Sequence, residues 1–254
     1  MGTNDGGHRA RAVAALAERD YVTAADEYTR AGWRVLAEPR TGQGPFESDE
    51  RGWVGDGLRY LTAAAVAYRV AGESTRAAHR GVEGVAVARD LENGLHQPVQ
   101  RACLAEFVAD FRVAGDTDGA EGAYRDATDA YEALDGLESV QRWATAPLFE
   151  AASATLKQVA RGTADGEIAV SWEDIHGSDP TDPGRFLGAR PRFKRQRFRS
   201  LVDRVVDDGY LAAPRGTTEY GNDTYRCPNC DATDVNWVAD SVLCLRCSAP
   251  MTRS

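Results

Sequence analysis

Apolar positions in most of the chain recur at the spacing of α-helices. Tyr21, Ala24 and Tyr28 are three or four residues apart and so share one helix face. Alanine, the strongest helix former, occurs 33 times in residues 1–161 but only eight times in residues 162–254. The first part is therefore predicted to be a helical domain. Its predicted helices span residues 8–18, 21–38, 53–71, 74–92, 97–114, 117–134 and 137–161, with breaks at 41–52, 92–98, 114–119 and 134–138.

The helical part contains an internal similarity. YRVAGESTRAA (68–78) and FRVAGDTDGAE (111–121) match at a separation of 43 residues, and LAERDYVTAADEYTRAG (16–32) is a weaker copy. In each strong copy a glycine followed by an acidic residue predicts the turn between two helices. This pattern resembles tetratricopeptide repeats and the longer SNAP-type solenoids. The resemblance implies an array of antiparallel helical hairpins with a groove for a protein segment. A plain antiparallel bundle with alanine-lined seams fits the same pattern, and both interpretations stay open.

The second part begins with a Gly/Pro-rich cluster and continues into a basic segment. Residues 167–175 fit either a strand or a short helix, and an amphipathic helix is predicted over 192–208, between Pro191 and Gly209. Residues 210–226 are predicted to form a strand, a turn and a second strand. This order resembles the second half of a winged helix. The resemblance implies that the basic helix enters a DNA major groove and that the hairpin is the wing.

Four of the five cysteines form two C-x2-C pairs with 13 residues between them: Cys227, Cys230, Cys244 and Cys247. Each pair predicts a knuckle that aims two thiolates at one ion, and two knuckles provide the tetrahedral four-sulfur site that Zn²⁺ prefers. The spacer favours a short β-hairpin. Because four thiolates leave no open coordination position, one structural Zn²⁺ per chain is predicted. Iron in a rubredoxin-type site is the alternative.

Residues 225–247 resemble a zinc ribbon of the transcription-factor-IIB type. Asp231 and Ser248 stand where such knuckles often have glycine, so we expect slightly altered knuckle geometry. The fifth cysteine, Cys103, lies on an apolar helix face and is predicted to be a small core residue.

The formal net charge is −9, and 28 of the 30 basic residues are arginine. This acidic, lysine-poor composition resembles that of haloarchaeal proteins, although a GC-rich genome also favours arginine over lysine. Residues 1–161 have 18 basic and 25 acidic residues, and residues 162–254 have 12 and 14. Within the second part, residues 185–204 have eight basic residues and one acidic residue. The acidity therefore belongs mainly to the helical part.

The basic helix and the ribbon supply the candidate contacts for nucleic acid or for a partner: Arg192, Lys194, Arg195, Arg197, Arg199 and Trp237. These cations are typical of phosphate contacts, and Trp237 is able to stack on a base. The other interpretation is a cationic face that packs on the acidic helical domain. Trp237 equally suits the core of the ribbon.

The sequence excludes several classes of function. No apolar run approaches the roughly 18 residues of a membrane helix, and the N-terminal stretch has no signal-peptide core, so a cytoplasmic protein is expected. No catalytic or nucleotide-binding motif indicates an enzyme or a small-molecule substrate.

We therefore expect a mainly α protein with a helical domain (1–161), a winged-helix-like segment (162–224) and a zinc ribbon (225–254). A non-enzymatic adaptor or regulator whose helical domain binds a protein is the leading hypothesis. A nucleic-acid-binding transcriptional regulator that uses the basic helix 192–206 and the ribbon is the alternative.

Overall fold

The computed structural model describes residues 5–37, 44, 53–95, 97–134 and 136–254. Apart from Gly44, the predicted break at 41–52 lies outside the described residues. The described helices are α1 (His8–Ala17), α2 (Tyr21–Ala37), α3 (Val54–Val70), α4 (Ser74–Asn93), α5 (Pro98–Ala114), α6 (Ala120–Glu132), α7 (Val140–Ala144), α8 (Pro147–Gly162), α9 (Trp172–Ile175) and α10 (Pro183–Asp207). Within these ranges, no helix has both the length and the apolar character needed to cross a membrane.

The first six predicted helices are confirmed, with ends within three residues of the predicted positions. The two copies of the internal similarity nevertheless turn differently. In the first copy Gly72 takes a left-handed conformation (φ 77°), whereas in the second Asp116 does so (φ 51°). Gly115 instead ends α5 against Gly81 of α4, where an added Cβ would lie 2.8 Å from the Gly81 Cα. The second glycine is therefore required for close helix packing rather than for the turn.

Helices α3 and α5 form the centre of the core. Each of the first five helices packs against the next, α8 packs on α3 and α5, and α10 packs on α5, α6 and α8. Thirteen of the 17 residues of α3 are buried, as are 13 of the 17 residues of α5. The inner helices of the array are thus covered by α8 and α10. The repeat-type arrangement with an open groove is not confirmed by this packing.

The predicted helix 137–161 is divided in two. Pro147 is the first residue of α8, and the preceding Ala146 is extended (φ −67°, ψ 148°). Because proline has no N–H and disfavours the helical conformation at the residue before it, the predicted helix is interrupted at Pro147.

Helix α10 starts nine residues before the predicted residue 192. Its N-cap is Asp182, whose side chain accepts a hydrogen bond from the Arg185 N–H over 3.0 Å. Pro183 then occupies the first turn, where its missing N–H costs little. The prediction that Pro191 precedes the helix is wrong, because Pro191 is buried inside it. The N-cap at Asp182 therefore determines where the helix starts, and Pro191 does not interrupt it.

Five short strands follow: β1 (Thr217–Glu219), β2 (Tyr225–Arg226), β3 (Val235–Val238), β4 (Ser241–Cys244) and β5 (Thr252–Arg253). The predicted spacer hairpin is confirmed as the antiparallel pair β3–β4. Strand β1 adds to the other edge of β3, and β2 pairs with β5. The antiparallel order β1-β3-β4 places the first of these strands inside the cysteine-bearing module.

The wing hairpin expected over 210–226 is not formed. Strand β1 pairs with β3 instead, because the Asn236 side chain holds the segment before β1 in place. Asn236 Oδ1 accepts from the Gly216 N–H over 2.8 Å, and its Nδ2 donates to the Pro214 carbonyl over 3.1 Å. Of the two alternatives for residues 167–175, the structure has the short helix α9, which begins with a capping box of Ser171 and Asp174.

Candidate metal centre

The four clustered cysteines lie on two loops with the same backbone hydrogen bonds. In the first loop the Cys227 carbonyl accepts from the Asp231 N–H over 3.0 Å, and the Cys227 N–H donates to the Ala232 carbonyl over 2.9 Å. In the second loop the Cys244 carbonyl accepts from the Ser248 N–H over 3.0 Å. The Cys244 N–H likewise donates over 2.8 Å to the carbonyl of the residue after Ser248. Both C-x2-C motifs therefore form the knuckle that their spacing predicts.

Asp231 and Ser248 adopt the left-handed conformation that favours glycine, with φ values of 63° and 58°. Each side chain compensates with a hydrogen bond. Asp231 Oδ1 accepts from Arg226 over 2.8 Å, and Ser248 Oγ accepts from the Ala213 N–H over 3.0 Å. The expected alteration of the knuckles is not seen in their hydrogen bonds. Ser248 also joins the second knuckle to the segment that follows α10.

The four sulfur atoms are close enough to share one ion. Sγ–Sγ distances are 3.5 Å for Cys227–Cys247, 3.6 Å for Cys230–Cys244 and 3.6 Å for Cys230–Cys247, and all four atoms lie within 4.8 Å of one another. A tetrahedral site with metal–sulfur bonds of about 2.3 Å has edges of roughly 3.8 Å. The cysteine cluster can thus hold a metal ion.

The two knuckles differ in their surroundings. Cys227 and Cys244 are buried, Cys247 is half-buried and Cys230 is exposed. The Asn229 side-chain amide donates to Cys247 Sγ over 3.5 Å. Hydrogen bonds from the Cys244 thiol and then from Asn229 lower the pKa of Cys247 to about 4, although burial opposes the shift. The same contact raises the pKa of Cys244, so the thiolate is favoured at Cys247 at the expense of Cys244.

Arg161, at the end of α8, connects the second knuckle to the helices. Its side chain is buried, and it donates to the carbonyls of Gly166 over 2.9 Å, Leu245 over 2.7 Å and Ala213 over 2.5 Å. Arg161 is not among the residues that the sequence motifs predict for the site. A basic residue in the last turn of an apolar helix is the sequence feature that could have drawn attention to Arg161. Its partner is not apparent from the sequence, because the Leu245 carbonyl lies 84 residues away in the chain.

Gly166 makes the same connection possible from the other side. It has a φ of 80°, and a Cβ added there would lie 1.7 Å from the Leu245 carbonyl oxygen. The backbone of the second knuckle therefore packs directly on the turn that follows α8.

The predicted nucleic-acid contacts are dispersed. Lys194 is buried, with Nζ 2.7 Å from Glu106 and 2.6 Å from Asp110 on α5. Trp237 is half-buried in β3, where it meets Tyr225 edge-on at a centroid distance of 5.4 Å. The interior of the protein therefore holds one of the six candidates, and the small antiparallel sheet holds another.

The remaining four candidates lie on the outer part of α10. Arg192 pairs with Glu132 over 2.7 Å, and Arg199 pairs with Asp116 over 2.7 Å. Arg195 and Arg197 are exposed and have no ion pair with any residue that the structure describes. The pairs of Arg192, Lys194 and Arg199 match the interpretation of a cationic face packed on acidic helices.

Arg190, which the sequence analysis did not single out, is the largest fully buried side chain among the described residues. Its guanidinium binds Glu106, and it also donates to the Tyr131 hydroxyl over 3.1 Å. Burial opposes charge on Glu106, but Arg190 and Lys194 outweigh it and lower the pKa of Glu106 to about 2. Burial raises the pKa of neighbouring Asp110 to about 6. Two cations of α10 and two carboxylates of α5 thus form an ionic network inside the core.

Cys103 borders this network. It is buried, as predicted, and burial raises the pKa of its thiol to about 12. A thiol of this kind is a poor nucleophile.

The fold and the site define a class: a mainly helical protein that ends in a small antiparallel module with a four-cysteine cluster able to hold a metal ion. No protein family, curated protein or solved structure shows significant similarity to the chain.

Proposed function

We propose that the protein is a non-enzymatic adaptor in which the cysteine cluster holds one structural Zn²⁺. The support is the donor set: four sulfur atoms at separations of 3.5 to 3.6 Å between the closest pairs, which suits tetrahedral zinc. The ion supplies folding free energy to a module whose few short strands bury little apolar surface. With four protein ligands it has no position for a substrate, so the role of the site is structural.

Metal analysis of protein purified without chelator tests this step. We expect close to one zinc per chain. Less than about half a zinc per chain would contradict the proposal, and a coloured iron-loaded protein would favour the rubredoxin-type alternative.

The adaptor role rests on one observation, three exposed large apolar side chains in the residues that follow α8 and in the metal module (residues 217–254). Ile168, between α8 and α9, is 68% exposed, Trp172, the first residue of α9, is 43% exposed, and Tyr220 is 53% exposed. The Tyr220 hydroxyl donates to Glu167 over 2.9 Å, which brings it next to Ile168 in the chain. We call Ile168, Trp172 and Tyr220 the linker face. Large apolar and aromatic side chains at a surface are typical anchors for a protein partner.

As the proposed binding site for a protein partner, the linker face replaces the groove of the helical domain. Because α8 and α10 cover α3 and α5, the inner face of the helical array packs against the chain itself. The linker face is instead open and lies where the helices meet the metal module.

The nucleic-acid alternative has weaker support. Arg192, Lys194 and Arg199 are paired with carboxylates, and Arg195 and Arg197 remain exposed. A site built on so few phosphate contacts loses affinity rapidly with salt.

Affinity capture with matched variants tests the linker face. The wild-type protein, the double variant Ile168→Asp/Trp172→Ala and the control Val82→Asp are tagged and recovered from native lysate with and without nuclease. Val82 is 61% exposed on α4 and is therefore a matched apolar surface position.

We expect a protein that is retained by the wild type and by the control, lost with the double variant, and insensitive to nuclease. Retention by all three proteins would contradict binding at the linker face. Loss after nuclease treatment would favour the nucleic-acid alternative.

A further inference from the structure

A cavity of about 70 Å³ lies between α1, α2, α3, α8 and the segment after α10, and no cysteine lines it. Three arginines line it from three parts of the chain: Arg9 on α1, Arg59 on α3 and Arg215 just before β1. None of the residues that line it is acidic. Cationic side chains that converge from separate elements need a compensating negative charge. An anion in the cavity would provide it.

The arginines are incompletely neutralised. Arg9 is half-buried and forms no ion pair with the described residues. Arg59 pairs through Nη2 with Asp56 over 2.7 Å, but its Nε is buried without a hydrogen-bond partner. Arg215 lies 3.9 Å from Glu167, near the limit for an ion pair. Two carboxylates therefore face three guanidinium groups, and a buried donor that lacks a partner is costly.

The remaining wall is aromatic and polar. Tyr28 and Tyr60 stack at a centroid distance of 6.0 Å, and the Arg59 guanidinium lies 4.8 Å from the centre of the Tyr60 ring. Arg59 Nη2 also donates to the Tyr60 hydroxyl over 3.3 Å. These contacts hold Arg59 in one orientation and preorganise the cavity for an anion.

We propose that this cavity binds a phosphoryl group, either inorganic phosphate or the phosphate end of a small monoester. Guanidinium groups match the geometry of phosphate oxygens and form strong charge-assisted hydrogen bonds with them. The volume equals that of about two water molecules, which suits a compact oxyanion but not a sugar or a base.

The ligand would add a further connection between the helices and the segment before β1, beside the direct contacts that Arg161 makes. Arg9 and Arg59 belong to the helices, whereas Arg215 precedes β1 and donates to the Tyr220 hydroxyl of the linker face over 3.1 Å. Binding of a phosphoryl group therefore strengthens the attachment of the metal module to the helices. This site goes beyond the adaptor role, which assigns no small ligand to the protein.

The test measures the thermal unfolding midpoint of the full-length, metal-loaded protein against ligand concentration at constant ionic strength. The probes are sodium phosphate and glycerol phosphate, with sodium chloride as the reference. We expect a saturable rise in the midpoint with at least one phosphate probe and none with chloride. A larger effect of inorganic phosphate identifies the free ion as the ligand, and a larger effect of glycerol phosphate identifies a monoester.

Variants make the assignment specific. Arg9→Gln removes a cation without breaking an ion pair and is expected to weaken phosphate binding by about tenfold or more. Arg215→Gln is a second variant with the same expectation. Arg195→Gln, which removes an exposed unpaired arginine on α10, is the control and leaves binding unchanged. An equal response to phosphate and chloride, or unchanged binding in both cavity variants, would overturn the proposal.

Discussion

Arg190 on α10 donates from Nε and Nη2 to the two carboxylate oxygens of Glu106 on α5, over 2.7 and 2.8 Å, with both side chains fully buried. Lys194, one turn further along α10, lies 2.7 Å from the same carboxylate. The sequence feature that most resembled a nucleic-acid contact, the basic helix, therefore uses two of its cations to attach itself to the core.

Glu106→Gln should destabilise the protein strongly. The substitution leaves Arg190 and Lys194 buried with one carboxylate fewer, and breaking a buried ion pair from one side costs about 3–5 kcal/mol. Denaturant unfolding followed by circular dichroism measures the change. The matched control is Glu132→Gln, which removes the partner of the more exposed Arg192 and should cost at most about 1 kcal/mol. An equal decrease in the free energy of unfolding for both variants would show that the buried network stabilises the protein no more than the exposed ion pair does.

Cys227→Ser should abolish metal binding and unfold the C-terminal module while most of the helical signal remains. Removing one of four ligands weakens the site, and the module depends on the ion for its stability. Zinc content per chain and limited proteolysis within 217–254 provide the two measurements. Cys103→Ala is the control, because this buried cysteine lies outside the cluster. A Cys227→Ser protein with full metal content and an intact module would refute the ligand assignment.

Gly166→Ala should displace the second knuckle. The added Cβ would lie 1.7 Å from the Leu245 carbonyl oxygen, and the φ of 80° also disfavours alanine. We expect a lower unfolding midpoint and faster loss of metal to a chelator. Gly122→Ala on α6 is the control, because an added Cβ has nothing within 4 Å and alanine favours the helix. If both variants lose metal at the wild-type rate, the knuckle does not depend on this close approach.

The contribution of His176 to the stability of the protein should decrease as the pH falls from about 6.5 towards 4. Burial, followed by the charge of Arg190, lowers the pKa of His176 from 6.5 to about 4. In this window the unfolded chain binds a proton that the folded chain excludes, so lower pH favours unfolding. The ring stacks on Trp172 at a centroid distance of 3.7 Å.

The slope of the unfolding free energy between pH 7 and pH 5, compared between wild type and His176→Gln, isolates this contribution. The variant should show the shallower slope, since the other titrating groups are common to both proteins. Identical slopes would mean that His176 is protonated equally in the folded and unfolded states.

Much of the local structure could be predicted from the sequence. Helical periodicity and alanine content indicated the first six helices, and the C-x2-C spacing with its β-rich spacer indicated both knuckles and the hairpin β3–β4. These features depend on neighbours within a few residues. The start of α10 was misjudged because a single N-cap at Asp182 outweighs the helix-breaking tendency of Pro191. The pairing of β1 depends on Asn236, about 20 residues further along the chain.

The sequence by itself therefore determined the first six helices and which four cysteines form the cluster, because propensity, periodicity and ligand spacing are local properties. Only the tertiary structure decided the place of the basic helix and of the inner face of the helical array. Glu106 lies 84 residues from Arg190, and a charge pattern along one helix does not show whether a carboxylate faces it. Long-range packing converted part of an apparent binding surface into a buried ionic network, and it brought Arg9, Arg59 and Arg215 around one cavity.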